Sequence, residues 1–157
     1  MPDTPETDRP ETILAFDFGQ RRIGVAVGQE VTGSASPVGV VSNDANGPDH
    51  SRIAALIDEW RPSRLVVGMP AHADGSASNM QAHVKAFIDE LGRYQLPVAT
   101  VDERYTSLEA EAVLKKARAQ GSRGRISKAA IDSAAAVLIA ERYLGRARVQ
   151  QAEQGSP

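Results

Sequence analysis

The chain of 157 residues contains no cysteine and only three histidines, and it is 41% hydrophobic and 24% charged. A chain of this length buries about two-thirds of its unfolded surface, which is enough for one domain with a single core. The lack of cysteine excludes disulfides, thiolate metal sites and cysteine nucleophiles. No apolar run approaches the roughly 20 residues that span a bilayer, and the acidic N-terminus has no signal-peptide pattern, so we expect a cytoplasmic protein without membrane contact.

Basic residues are concentrated in the last third of the chain, although the net charge is -2. Residues 104–148 include ten bases and four acids, which gives this segment a charge of +6 and the remainder a charge of -8. Between positions 112 and 131 six bases occur without any acid. Either a solvated helix end or a patch that faces phosphates would produce this pattern.

The hydrophobic pattern predicts short strands followed by alternating strands and helices. Short apolar or alternating runs between turn residues predict strands, and apolar residues three and four apart predict helices. In chain order we expect strands over 13–18, 22–28 and 34–41, a loop over 43–48, a helix over 49–60, a strand over 65–67, a loop over 68–78, a helix over about 79–93, a strand over 97–101, a helix from 106 to about 117, a basic loop over 120–125 and a last helix from 127 to 144–145.

This order of elements predicts a single α/β domain. Its mixed five-stranded sheet would begin with three antiparallel strands and continue with parallel strands, because helices then provide the crossovers. The domain would cover residues 12–145. The polar tails over 1–11 and 146–157 need no packed structure.

Asp17 interrupts the apolar run of the first strand. That strand is expected to be central in the sheet and covered on both faces, where an unpaired carboxylate is costly. Asp17 therefore either binds a ligand or cation, or only caps the turn at Gly19. We favour the functional interpretation, because the glycine allows the backbone a close approach.

Asp102 and Glu103 directly follow a later strand, at the end where ligands gather in open α/β sheets. Successive strand residues point to opposite faces, so only one of the two acids can readily join Asp17, and the pattern does not say which. The alternative is a pair of loop acids, one of them in a salt bridge with Arg104.

Asp132 shares one face of the last helix with Ala136, Ile139 and Tyr143. This face is otherwise apolar, and the small residues over 133–136 would allow the helix to dock closely on the sheet. An acid in a first turn also complements the helix dipole, but this position points inward rather than to water.

The three acidic positions form an all-oxygen donor set, which suits Mg²⁺ or Mn²⁺. Two metal ions about 4 Å apart, held by carboxylates, are a common device for cleaving phosphodiester bonds. We therefore expect a metal-dependent nuclease with two ions, in which the acids hold the metal and the basic residues contact neighbouring phosphates.

Four segments resemble the YqgF (RuvX) family. They are ILAFDFGQRRIGVAVG (13–28), LVVGMPAHADGS (65–76), VDERYTSLEAE (101–111) and AIDSAAAVLIAERYL (130–144). They occur in the family's order and cover about residues 13–144. The resemblance implies a ribonuclease H-like fold, in small bacterial proteins described as Holliday junction resolvases and as pre-16S rRNA nucleases.

The resemblance also implies roles for individual residues. The catalytic, metal-binding acids would be Asp17, Glu103 and Asp132. Glu103 is preferred over its neighbour because related resolvases use a glutamate there, and Asp102 is the alternative metal ligand. The expected residues of loops bordering the site are Gly19, Gly68, Pro70, Asp74, Gly75, Thr106 and Ser107. With the basic run included, the expected nucleic-acid contacts are Arg22, Arg104, Lys115, Lys116, Arg123, Arg125 and Lys128. Gln20 and His72-Ala73 depart from the family's pattern.

The favoured function is 5′-end maturation of pre-16S rRNA, with pre-rRNA or a pre-ribosomal particle as the partner. A Holliday junction resolvase acting on branched DNA is the main alternative, and a non-catalytic nucleic-acid-binding module is another. An actin-like or sugar-kinase-like ATPase also carries Asp-x-Gly in its first hairpin, but it needs a second domain. Sequence does not choose between RNA and DNA, or between a monomer and a homodimer.

Overall fold

A computed structural model describes residues 11–70, 80–102 and 133–145 of the chain. The elements in these ranges are β1 (Thr12–Asp17), β2 (Arg22–Gln29), β3 (Ser34–Asp44), β4 (Gly47–Pro48), α1 (His50–Trp60), β5 (Arg64–Met69), α2 (Gln81–Leu91), β6 (Val98–Asp102) and α3 (133–145). The helix expected over 106–117, the basic loop and the start of the last helix lie outside these residues.

The strands form one mixed sheet in the order β4-β3-β2-β1-β5-β6. The first four strands pair antiparallel, and β1, β5 and β6 run parallel to one another. This confirms the predicted mixed sheet with central β1. The sheet has six strands rather than five because the segment interpreted as a loop over 43–48 contributes the end of β3 and the two-residue strand β4.

One face of the sheet packs against α1 and α2. Alternate residues of the strands, such as Leu14 and Phe16 of β1, point into this core and are fully buried. Helix α1 begins after Asp49, whose side chain accepts a hydrogen bond from the Arg52 N–H. Phe87 of α2 contacts the Phe16 ring edge to face, with centroids 5.7 Å apart.

The opposite face of the sheet packs against α3. Ile13 and Ala15 of β1 form a second core there with Ile139, Ala140 and Leu144 of the helix. Opposite Asp17, Ala15 and Ile13, β2 carries Gly24, Ala26 and Gly28 on this face. A Cβ atom at Gly28 would lie 3.2 Å from Leu144 Cδ1, so the glycine allows the close docking that the small residues of α3 predicted.

Strand β3 is the longest strand, with 11 residues, and it is irregular in the middle. Its register with β2 shifts between Val25 and Ala26, which pair with Gly39 and Pro37 respectively, so that one β3 residue is left over as a bulge. On its other side it pairs with β4 over two residue pairs. None of the helices in the three described ranges has the length and apolar character needed to cross a membrane.

Candidate functional site

The carboxyl ends of β1, β5 and β6 meet at one edge of the sheet. Because these three strands are parallel and adjacent, Asp17, Pro70 and Asp102 all lie at this edge, close to where ligands bind in open α/β sheets. Neighbouring strands are about 4.8 Å apart, so the ends of β1 and β6 are separated by roughly 10 Å. Asp17 and Asp102, two of the acids expected at the site, therefore lie at the same edge, whereas Glu103 is outside the described residues.

Asp17 lies on the face of the sheet that α3 covers, half-buried, in register with two glycines. Ile13 and Ala15, which share its parity along β1, are in the core beneath α3. Asp17 pairs with Gly24 of β2, and the register on β5 runs from Phe16–Val67 on to Gly68. Glycines therefore occupy the positions directly beside Asp17 on both neighbouring strands. Glycine within a strand is typical of a position that a ligand approaches closely.

Asp102 belongs to the other face of β6. Val101 is buried in the core beneath α3, so alternation assigns Asp102 to the opposite side, where it is exposed. Its backbone carbonyl accepts a hydrogen bond of 2.8 Å from Nη1 of Arg142 on α3. Asp17 and Asp102 thus lie at the same edge of the sheet but on opposite faces. The sequence did not show on which face Asp102 lies, and the structure does.

The turn after Asp17 is held by Asn43, a residue that sequence analysis assigned to a loop. Its Nδ2 donates to the Gly19 carbonyl at 2.8 Å and its backbone N–H donates to the Arg21 carbonyl at 3.0 Å. Asn43 is 8% exposed. A Cβ atom on Gly19 would lie 2.5 Å from the Arg22 carbonyl oxygen, so only glycine fits this turn. Arg22 begins β2 directly after it.

The described part of α3 begins at the same edge. Ser133, which is 1% exposed, donates a hydrogen bond of 2.9 Å to the carbonyl of Gly39 on β3. Gly39 pairs with Val25, one position along β2 from the Gly24 that faces Asp17. The described part of the helix therefore begins near Asp17 and runs toward Ile13 at the other end of β1.

The other end of α3 is fixed at the start of β1 by a polar cluster. Arg64 Nε lies 3.3 Å from Glu11 Oε1, and the Tyr143 hydroxyl donates to the same carboxylate at 3.4 Å. The Arg64 guanidinium also lies over the Tyr143 ring, 5.8 Å from its centroid. Burial, and then the nearby Glu11 charge, raise the pKa of Tyr143 above its ordinary value.

Many of the predicted site residues lie outside the described ranges. They are Glu103, Asp132, Arg104, Lys115, Lys116, Arg123, Arg125, Lys128, Asp74, Gly75, Thr106 and Ser107. The predicted residues within those ranges, which are Asp17, Gly19, Arg22, Gly68, Pro70 and Asp102, all lie at or next to the edge described above. Residues 11–70, 80–102 and 133–145 alone contain no group of three or more metal-binding side chains.

Relatives of known sequence cover nearly the whole chain. A protein of Burkholderia lata is 45% identical over 137 residues, which are 87% of this chain and 90% of that protein. A protein of Paraburkholderia phymatum is 42% identical, with 87% of this chain and 86% of that protein covered. Both carry the name "Putative pre-16S rRNA nuclease".

Two solved structures with the same fold are of resolvases. RuvC of Thermus thermophilus, in complex with a Holliday junction substrate, matches with a TM-score of 0.59 at 16% identity, over 89% of this chain and 96% of that one. The fowlpox virus resolvase, in complex with Holliday junction DNA, matches with a TM-score of 0.54 at 10% identity, over 87% and 98% of the two chains. At these identities the likeness concerns the fold, which is that of the RuvC-like, ribonuclease H-like proteins.

The family assignment follows from a match over most of the chain. The profile of the RuvX family, described as "Holliday junction resolvase", matches residues 11–146, a range that contains the entire sheet and α3. Together with the relatives above 40% identity, this match shows that the chain belongs to the RuvX family.

Proposed function

We propose that this protein is a metal-dependent nuclease that hydrolyses phosphodiester bonds during 5′-end maturation of pre-16S rRNA. The observation that carries the proposal is the position of Asp17. Asp17 lies at the edge of the sheet where ligands bind in open α/β folds, on the face beneath α3, and its neighbours on the two adjacent strands are Gly24 and Gly68. Membership of a family of nucleases supports the same activity.

The chemistry of the donors at this edge suits a hard divalent cation. The strand ends contribute the carboxylates of Asp17 and Asp102 there, and oxygen ligands are what Mg²⁺ and Mn²⁺ prefer. Asp17 would hold the ion. When bound, such an ion would activate a water molecule and neutralise charge on the phosphate that is cleaved.

The two remaining acids are proposed from their neighbours in the sequence. Position 103 has the parity of Val101, which lies beneath α3 on the Asp17 face, so strand alternation favours Glu103 over Asp102 as a second ligand. Asp132 directly precedes Ser133, whose bond to Gly39 lies near the Asp17 row of the sheet. Arg22, at the start of β2, is a candidate for contact with a flanking phosphate.

The choice of substrate rests on the names of the relatives. Proteins 42–45% identical are named for pre-16S rRNA, which favours a pre-rRNA substrate, free or within a pre-ribosomal particle. The second candidate is resolution of Holliday junctions, which the description of the family profile favours. Symmetric nicking of a junction would need a homodimer, whereas cleavage of a leader RNA would not.

Cleavage assays on matched substrates test the proposal. An RNA with the 16S 5′ leader, a four-way DNA junction and single-stranded DNA are each incubated with the full chain in Mg²⁺, Mn²⁺ or EDTA. We expect the metal-dependent cleavage of the leader RNA to be fastest. In metal sites the loss of an outer partner alone costs 10- to 100-fold, so loss of a ligand in Asp17→Asn should cost at least about 100-fold.

Metal binding provides a second readout, independent of turnover. Mn²⁺ should raise the Tm of the wild type because a bound ion stabilises the folded state, and it should not raise the Tm of Asp17→Asn. Asp89→Asn, which changes an acid on α2 away from this edge, is the matched control and should behave as the wild type in both experiments. Cleavage by Asp17→Asn at the wild-type rate would place the active site elsewhere, and junction cleavage without RNA cleavage would favour the second candidate.

A further inference from the structure

A cavity lined by both polar and apolar groups opens beside the turn that follows Asp17, on the sheet face opposite to Asp17. It has a volume of about 220 Å³ and lies between the turn, the end of β3, β4 and α2. Its lining includes Phe18, Gln20, Asn43, Asp44, His83 and Glu90. Pockets that enclose drug-sized ligands have about 300–1,000 Å³, so this cavity suits a smaller group, such as a single planar ring system.

The polar groups of the cavity are mostly hydrogen-bond acceptors. Asp44 and Glu90 each contribute a carboxylate. Asn43 is more than nine-tenths buried, and its Nδ2 is occupied by the Gly19 carbonyl. The amide nitrogen of Asn43 is therefore already bonded within the turn, and the residue also lines the cavity. The two carboxylate charges would repel a phosphate and attract N–H groups.

An aromatic ring forms one wall. Phe18 is half-buried, and its position is fixed by Phe87, at a centroid distance of 5.2 Å. The exposed imidazole of His83 lies on the α2 side of the cavity. Rings of this kind are the platforms on which proteins stack unpaired bases.

From these observations we propose that the cavity binds one unpaired guanine of the nucleic-acid substrate. The Watson–Crick edge of guanine carries two adjacent donors, N1–H and the 2-amino group, which match a carboxylate, and acidic side chains are known partners of base amino groups. The cavity wall and Asp17 belong to one stretch of chain, since Phe18 and Gln20 are one and three residues beyond Asp17. The cavity and Asp17 therefore lie on the two sides of the same edge of the sheet.

This inference rests on the proposed function in one respect, namely that the substrate is a nucleic acid. It adds that the protein prefers guanine over other bases at this position. It assigns Glu90 and Asp44 as the groups that accept from guanine. Glu90 Oε1 is 3.6 Å from His50 Nε2, so its position is supported by α1. The Asp44 Oδ1 accepts from the Asn46 N–H at 2.8 Å, which leaves its second oxygen for a ligand.

The test is an NMR titration of the full chain with guanosine, inosine and uridine 5′-monophosphates. The guanosine and inosine compounds differ only in the 2-amino group, so any binding through phosphate cancels in the comparison. We expect the guanosine compound to bind more tightly and to shift the Asn43 side-chain amide. The double variant Asp44→Asn/Glu90→Gln should weaken its Kd by about tenfold or more, as expected for lost hydrogen bonds to charged groups.

Two controls keep the outcome specific. Glu59→Gln changes an exposed acid on α1 outside the cavity and should bind as the wild type does. Asp17→Asn should retain the guanosine preference although it loses cleavage. Equal binding of all three nucleotides, or a preference that survives in the double variant, would overturn the base pocket while leaving the nuclease proposal intact. The reverse result, in which the preference holds and the wild type cleaves no substrate, would overturn the nuclease proposal and leave the pocket.

Discussion

Gly19 is the residue that most tightly limits the geometry of the proposed site. It lies two positions after Asp17, and Asn43 fixes its carbonyl from β3. The space for a side chain is already taken by the carbonyl of Arg22, since a Cβ atom would approach it to 2.5 Å. The turn that carries the proposed metal ligand is thus fixed by backbone contacts.

Gly19→Ala should therefore destabilise the fold, by about 1–3 kcal/mol if the turn adjusts as overpacked sites do. Urea denaturation measures the change. Gly92→Ala is the matched control, because that glycine has a helical φ of -58° and a Cβ atom added to it would meet no atom within 4 Å. There the substitution should be neutral or stabilising, by about 0.4–1 kcal/mol at most. Equal effects of the two substitutions would contradict this account of the turn.

Single residues also show where sequence reasoning about the site ends. Asp17 could be identified because a carboxylate in an apolar strand is chemically out of place. Asn43 could not, because its surroundings (Ser42 to Pro48) have the composition of a loop and its partner Gly19 is 24 positions away. To choose between Asp102 and Glu103, one must know which side chains of β6 point to the face that α3 covers. The packing of Val101 beneath α3 decides this, and it is not visible in the sequence.

At the level of elements, α3 is attached to the sheet at both ends. Ser133 bonds to Gly39 near the proposed site, and Tyr143 contacts Glu11 at the opposite edge of the sheet. The raised pKa of Tyr143 makes the second attachment dependent on pH. A tyrosine whose pKa is higher in the folded state stabilises the fold below its ordinary pKa of 10.0, and this contribution is lost as the pH rises through the folded value.

Tyr143→Phe should accordingly reduce the loss of stability at alkaline pH. Urea midpoints of the wild type and the variant are compared between about pH 8 and pH 11, which spans the ordinary tyrosine pKa. The wild-type midpoint should fall more steeply above pH 10. Tyr94, whose pKa is also raised by burial, contributes in both proteins, so the comparison isolates Tyr143. Parallel curves for the two proteins would contradict the prediction.

Within the described residues, the elements other than β4 were predictable to within a few residues, and the reason is physical. Alternation along β2 shows at Ile23, Val25 and Val27 because one face of the strand is buried against α1 and α2. Strand β4 could not be predicted, since two residues of Gly and Pro have no periodicity. Their pairing depends on β3 continuing to Asp44.

For the whole molecule, the uneven charge predicts how binding responds to salt. Arg123, Arg125 and Lys128 lie outside the described residues, in the stretch of the sequence that has bases and no acids. If they contact phosphates, replacing all three by Gln should lower the slope of log K against log salt by about two, since each phosphate contact contributes about 0.7–0.9.

Fluorescence anisotropy with a labelled RNA, at several salt concentrations, gives this slope. A control variant with Gln at Arg61, Lys85 and Arg93, three exposed bases on or next to α1 and α2, carries the same net charge. It should retain most of the wild-type slope. An unchanged slope in the first variant would remove these three residues from the nucleic-acid interface.

The irregularity in the middle of β3 bears on how copies of this protein behave at high concentration. A long edge strand exposes unpaired backbone N–H and C=O groups, and strands of other molecules can pair with these groups and cause aggregation. Within the described residues, β4 covers that side over only two residue pairs. Pro37 lacks an N–H to offer an incoming strand, and the adjacent bulge bends the edge out of line. The bulge region therefore has two effects. It places the Gly39 carbonyl where Ser133 can bond to it, and it disfavours pairing of this edge with a strand of another molecule.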